Sequence, residues 1–103
     1  MIELLRAKRE AIEALCRKHR VRHLDAFGSS VAGGFDETRS DVDFVVEFLP
    51  QSRHGLGDVY FRLLHDLEAL LGRPVDLVEA SAIRNPYFRA SFEATRTPIY
   101  AAA

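Results

Sequence analysis

Asp41, Asp43 and Asp76 stand in or beside runs of β-branched and apolar residues, where an acid is costly without a partner. Asp41-Val42-Asp43 separates two of them by a single residue. Side chains alternate along a strand, so both acids project from one face with Cα atoms roughly 6.5 to 7 Å apart. Val42, Phe44 and Val46 then point the other way, into a core. Asp76 lies within Val75-Asp76-Leu77-Val78. If the two strands are neighbours, the three acids surround one point. Like charges that close repel unless a divalent cation neutralises them. Carboxylate oxygens suit Mg2+, which also takes water and substrate phosphates as ligands.

Upstream lies a complement to these acids. Gly28-Ser29 follows a run that reads as a strand and opens a turn. Glycine permits close approach to a phosphate, backbone N–H groups there can face an anion, and Ser29 offers a hydroxyl donor. An anion pocket beside metal-binding carboxylates points to nucleoside triphosphate chemistry. A metal would bridge phosphates, and one carboxylate could accept the proton of an attacking hydroxyl. Each piece has a plainer reading. A Gly-Ser-Ser turn can be only a loop, Asp-x-Asp can be turn chemistry, and Asp76 can pair with Arg73, Arg84 or Arg89. The order of the pieces along the chain is what gives the combination its force.

The elements that must position these residues follow from periodicity. Ile2, Leu5, Ile12, Leu15, Cys16 and His19 fall on one stripe and predict an N-terminal helix. Val21 to Phe27 and Val42 to Phe48 read as strands, and a single helical turn fits between them near Val31. Val59, Tyr60, Leu63, Leu64, Leu67, Leu70 and Leu71 predict a helix over Asp58 to Leu71, with Asp58 its expected N-cap and Gly72 its C′ residue. Pro74 to Val78 is a third strand. Asn85-Pro86 opens a last helix over Tyr87 to Thr95, and Pro98 to Tyr100 is a short edge strand. Tyr60, Phe61, Tyr87, Phe88 and Phe92 read mostly as core, with an exposed patch for a partner as the alternative for some of them. The expected class is α/β (α+β), with a small mixed central sheet of about four strands flanked by helices.

Phe27-Gly28-Ser29, the loop to Ser40-Asp41-Val42-Asp43-Phe44-Val45-Val46-Glu47, and Pro74-Val75-Asp76-Leu77-Val78 resemble the minimal nucleotidyltransferase (MNT) domain of the polymerase β superfamily. The likeness covers essentially the whole chain, residues 1–103, as one such domain with the nucleotidyltransferase fold. It implies that Gly28 and Ser29, with Ser30 and Ser40, hold the nucleotide, and that Asp41 and Asp43 bind Mg2+. Asp76 would be the third acid, positioning metal and activating the acceptor. Such domains are commonly paired with a helical HEPN ribonuclease toxin. The MNT partner acts as antitoxin by transferring AMP from ATP to a hydroxyl, typically of tyrosine. The resemblance therefore implies a hetero-oligomer. Two departures accompany it. Ala32 stands where many members carry an arginine, with Arg39 a candidate substitute, and the stretch from Ser29 to Asp41 is slightly longer than usual. The alternative is a domain that neutralises the toxin by binding alone.

Composition sets the outer bounds. The chain has 103 residues, 48% apolar and 28% charged, with a formal net charge of -1. That length suits one domain, and the balanced charge argues against bulk capture of nucleic acid. One cysteine excludes a disulfide framework or a multi-thiolate metal site and fits a reducing, cytoplasmic setting. No apolar run reaches the ~18 residues of a membrane span, and Met1 to Glu10 lacks the apolar region of a signal peptide. Neither a P-loop nor a dinucleotide fingerprint is present, because no lysine follows Gly33-Gly34 and no long helix opens there.

Overall fold

A strand that alternates apolar residues with acids must serve two different surfaces, and Val42–Phe48 does so at the centre of this molecule. The computed structural model describes residues 1–36, 38, 40–50 and 55–103, of which 55–57 by backbone alone. Its elements are helices α1 (Glu3–Ala7) and α2 (Arg9–Lys18), strand β1 (Val21–Phe27), helix α3 (Ser29–Ala32), strand β2 (Val42–Phe48) and helix α4 (Gly55–Leu71). Strand β3 (Val75–Glu79), a 3-10 turn (Ala80–Ala82), helix α5 (Pro86–Thr95) and strand β4 (Thr97–Ala101) follow. Among the described residues the sheet has four strands in the order β3-β2-β1-β4. β1 is antiparallel to β2 and β4, whereas β2 and β3 run parallel, joined through α4. This is the expected mixed sheet flanked by helices.

The main core lies on one face. Leu24, Ala26, Val42, Phe44, Val46, Val75, Leu77 and Ile99 of the strands meet Leu5, Ile12, Cys16, Leu63, Leu67 and Leu71 of α1, α2 and α4. Burial pushes the Cys16 thiol up to about 12, so this cysteine is an inert core residue. The opposite face carries a smaller cluster in which Phe27 and Val45 meet Ile83 and Phe92. The Phe27 ring meets Phe88 and Phe92 edge-on, with centroids 5.7 and 5.4 Å away. Since β2 alternates, Asp43, Val45 and Glu47 share this second face, beneath and beside α5.

Side chains hold the outer edge of β3 to α4. Glu68 accepts a hydrogen bond from the Val75 amide at 3.1 Å, and the Tyr60 hydroxyl donates to the Leu77 carbonyl at 2.5 Å. Asp76, between those two anchors, is fixed in register. The guanidinium of Arg9 similarly covers the Pro98 and Ile99 carbonyls of β4 at 3.3 and 3.4 Å. Both contacts occupy backbone groups that an unprotected edge strand would offer to another chain.

Several expectations are refined. The N-terminal helix is two segments, because Lys8 departs from helical geometry at φ -100°. Hydrogen bonds from Lys8 to Leu4 and from Ile12 to Lys8 still bridge the joint. α4 begins at Gly55, so Asp58 is a first-turn acid rather than the N-cap. At α5 the Asn85 carboxamide does cap the helix, accepting from the Tyr87 and Phe88 amides at 2.8 and 3.3 Å. Of the aromatic residues read as core, Phe61 and Tyr87 are 57% and 85% exposed. Among the described residues no helix is long and apolar enough to cross a membrane.

Candidate active site

The site is assembled where β1, β2 and β3 come together at one end of the sheet. Parallel pairing of β2 with β3 sets Asp43 directly opposite Asp76, and antiparallel pairing with β1 sets Asp43 opposite Phe27. Asp41 precedes β2 and is exposed, as is Asp76, while Asp43 is half-buried. Loss of hydration and the negative charges of Asp76 and Asp41 push the Asp43 carboxyl up to about 6. The sequence requirement that the two strands be neighbours is therefore met, and the predicted acids share one electrostatic site.

Gly28 lies against the Asp43 carboxylate. It stands at φ 74° and ψ -149°, a conformation open essentially to glycine alone. A Cβ there would lie 2.6 Å from Asp43 Oδ2, so any side chain would displace the carboxylate. Its carbonyl accepts from the Val31 and Ala32 amides at 3.0 and 2.9 Å, which starts α3. Its own N–H, expected to face an anion, instead donates to Thr95 Oγ1 at 2.9 Å. Ser29 is half-buried at the start of α3.

The other two serines have different tasks. Ser30 is fully buried and its hydroxyl donates to the Phe27 carbonyl at 3.3 Å, so it braces the turn from the core side instead of facing a ligand. Ser40 Oγ accepts from the Asp36 amide at 2.9 Å, closing the loop that leads to Asp41. Ala32 is exposed and brings no cation to the turn. Arg39, the candidate substitute, lies outside the described residues.

The acids suit a divalent cation by chemistry, being hard oxygen donors, and burial together with the charges of Asp76 and Asp41 raises Asp43. They do not form a ready cage. Among the described residues no three His, Cys, Asp or Glu side chains converge closely enough to hold an ion by themselves. Water and substrate phosphates would have to complete any coordination, which is the habit of Mg2+.

One acid on this face escaped the sequence reading. Asp25 of β1 is only 2% exposed. Its Oδ2 accepts from Arg96 at 2.9 Å, and His23 Nδ1 lies 3.2 Å from Oδ1, out of line for a hydrogen bond. The criterion that singled out Asp76, an acid inside an apolar strand, applies equally to Val21-Arg22-His23-Leu24-Asp25-Ala26-Phe27. A cleft of about 260 Å3 opens over Asp25, Val45 and Arg96, and none of Asp41, Asp43 and Asp76 lines it.

Comparison with known proteins agrees with this fold. Residues 8–98 match the model of the nucleotidyltransferase domain family. The chain is 34% identical over 91 residues, 88% of its length and 86% of the relative's, to "Putative protein adenylyltransferase MJ1379" of Methanocaldococcus jannaschii. A solved "putative minimal nucleotidyltransferase" superposes with a TM-score of 0.75 and 33% identity, covering 94% of this chain and 96% of that one. A structure of tri-AMPylated Shewanella oneidensis HEPN toxin in complex with MNT antitoxin gives a TM-score of 0.65. Identity there is 17%, with 94% of this chain and 72% of that one covered, a likeness of fold. With a family match reaching from residue 8 to residue 98 and a relative 34% identical over most of the chain, this protein belongs to the nucleotidyltransferase domain family.

Proposed function

We propose that this chain is an MNT-type antitoxin that transfers AMP from ATP to a hydroxyl, of tyrosine, on a cognate helical HEPN ribonuclease toxin. The observation that carries the reading is the facing pair Asp43 and Asp76, with Gly28 closed against the Asp43 carboxylate. Ser29 holds the nucleotide phosphates, with Gly28, Ser30 and Ser40 shaping the turn and loop around them. Asp41 and Asp43 would hold Mg2+, with Asp76 assisting. When bound, the cation would neutralise charge on the phosphates and the departing pyrophosphate. Asp76 takes the proton of the acceptor hydroxyl. The hydroxyl oxygen bonds to the α-phosphorus as the bond to the β-phosphate oxygen breaks, and pyrophosphate leaves.

The acceptor comes from the partner in this reading, within a cytoplasmic hetero-oligomer, and no nucleic acid is required. The likeness to an MNT antitoxin solved with an AMPylated HEPN toxin supports that choice. A second reading, neutralisation by binding alone, draws on the exposed Ala32 and on the absence of a closed three-ligand group among the described residues. Intact-mass measurement of the partner after incubation with this chain, ATP and Mg2+ separates them. Wild type should add one or more AMP groups, and Asp41→Asn with Asp43→Asn should add none. Equal transfer by that double variant would sink the enzymatic reading. Rescue without any mass change would establish binding alone.

A further inference from the structure

The last two residues before β4 grip the site face at two points. Arg96 reaches the buried carboxylate of Asp25 at 2.9 Å and lies over the Phe92 ring, 5.0 Å from its centroid. Thr95 Oγ1 accepts the Gly28 N–H at 2.9 Å across 67 residues of chain. The same hydroxyl lies 3.5 Å from the Ser91 carbonyl, toward which it donates, so both its donor and its acceptor capacity are directed. Thr95 is itself held firmly. Phe92, one helical turn earlier, is in the core, and Thr97, two residues later, pairs with Ala26 of β1. Gly28 lies just beyond the last β1–β2 register pair, Phe27 with Asp43, so the sheet ladder no longer serves its amide.

From this geometry we infer that Thr95 is a positioning residue for nucleotide binding. It fixes the direction of the Gly28-Ser29 turn against the Asp43 carboxylate, and it acts through Gly28 without touching substrate. The inference rests on the nucleotidyltransferase reading above. It also explains why a residue far along the chain, in a helix that supplies none of the acids, bears on the site. Without the Thr95 oxygen, the Gly28 amide has no partner at that point, and its φ of 74° is held by the α3 hydrogen bonds alone. The turn is then free to swing relative to Asp43.

The test compares Thr95→Val, which keeps shape but removes the acceptor, with Thr95→Ser, which keeps the oxygen. For Thr95→Val the expected outcome is a rise of about fivefold to tenfold in KM for ATP, with kcat within twofold of wild type, as for loss of binding shared by ground and transition states. Hydrogen exchange at the Gly28 amide should quicken at least about tenfold, with Tm within a few degrees of wild type. Thr95→Ser should restore KM and exchange together. If the chain binds MgATP but transfers no AMP, the same shift is read in Kd. Faster Gly28 exchange with unchanged KM or Kd would overturn the inference, as would a lowered Tm and kcat with KM unchanged, the mark of a merely structural residue. A wild-type chain that neither binds MgATP nor transfers AMP would bring down the nucleotidyltransferase reading, and this inference with it.

Discussion

Asp25 and Asp43 sit on the same face of the sheet, on adjacent antiparallel strands, with Asp25 opposite Val45 and Asp43 opposite Phe27. They are held in opposite ways. Asp25 is almost wholly buried, and its near neighbours are the guanidinium of Arg96 and the imidazole of His23. Asp43 is half-buried and its charged neighbours are the acids Asp76 and Asp41. Burial alone would rank Asp25 as the more unusual acid, and a cleft of about 260 Å3 also opens over it. The sign of the neighbouring charge ranks them the other way. An acid matched by a cation anchors the fold, whereas an acid set among acids stores repulsion that a cationic ligand can relieve.

The largest effect that tests this contrast falls on Asp25. Arg96→Met removes the hydrogen-bonded cation and leaves a buried carboxylate, which should cost about 3 kcal/mol in urea unfolding. Adding Asp25→Leu to that variant should recover more than half of the loss, because the buried charge goes with it. A cost under about 0.5 kcal/mol for Arg96→Met would mean that the pair is no anchor. The next effect in size falls on the other acid. Gly28→Ala forces a non-glycine residue to φ 74° and puts its Cβ 2.6 Å from Asp43 Oδ2. The expected cost is about 2 kcal/mol, and part of it is steric. Asp43→Ala should relieve that part, so the double variant should show a coupling of about 1 kcal/mol. Strict additivity would separate Gly28 from Asp43.

The sheet was legible because β2 is a short apolar run closed by Pro50 and β3 one opened by Gly72 and Pro74, and the acids were legible because they interrupt or adjoin those runs. The decisive fact, Asp43 opposite Asp76, was not, since register is a property of two strands at once. Ser30 shows a second limit. A serine in a Gly-Ser-Ser turn has the chemistry of a ligand, but only the path of the turn reveals that its hydroxyl faces the Phe27 carbonyl. Thr95 shows a third. Nothing local marks it, because its partner Gly28 lies 67 residues away. Phe61 and Tyr87 obeyed helical spacing and still emerged exposed, since spacing fixes the face of a helix and not what covers it.

The smallest effect is the sharpest discriminator, because it changes sign between a structural acid and one held among like charges. Asp43 has a folded-state pKa raised from 3.8 to about 6, by loss of hydration first and by Asp76 and Asp41 next. Between those two values the folded chain binds more protons than the unfolded chain, so without divalent cations stability should fall as pH rises through this window. Above about pH 6 the loss is complete and the profile from this group is flat. Asp66 has the opposite sign. The hydrogen bond from His19, 2.6 Å long, lowers its pKa, so its contribution is present above the ordinary carboxyl value and is lost as pH falls through the folded value. Asp43→Asn should therefore erase the decline between about pH 4 and 6 while leaving the acid limb in place. At pH 7 it should be the more stable protein, by about 1 kcal/mol once solvent screening of this half-exposed group is allowed for, or about 5 °C in Tm. Millimolar Mg2+ should flatten the wild-type decline and leave Asp43→Asn unmoved, if relief of repulsion is what the cation supplies. Parallel profiles for wild type and variant would place Asp43 with Asp25, as one more acid serving the fold.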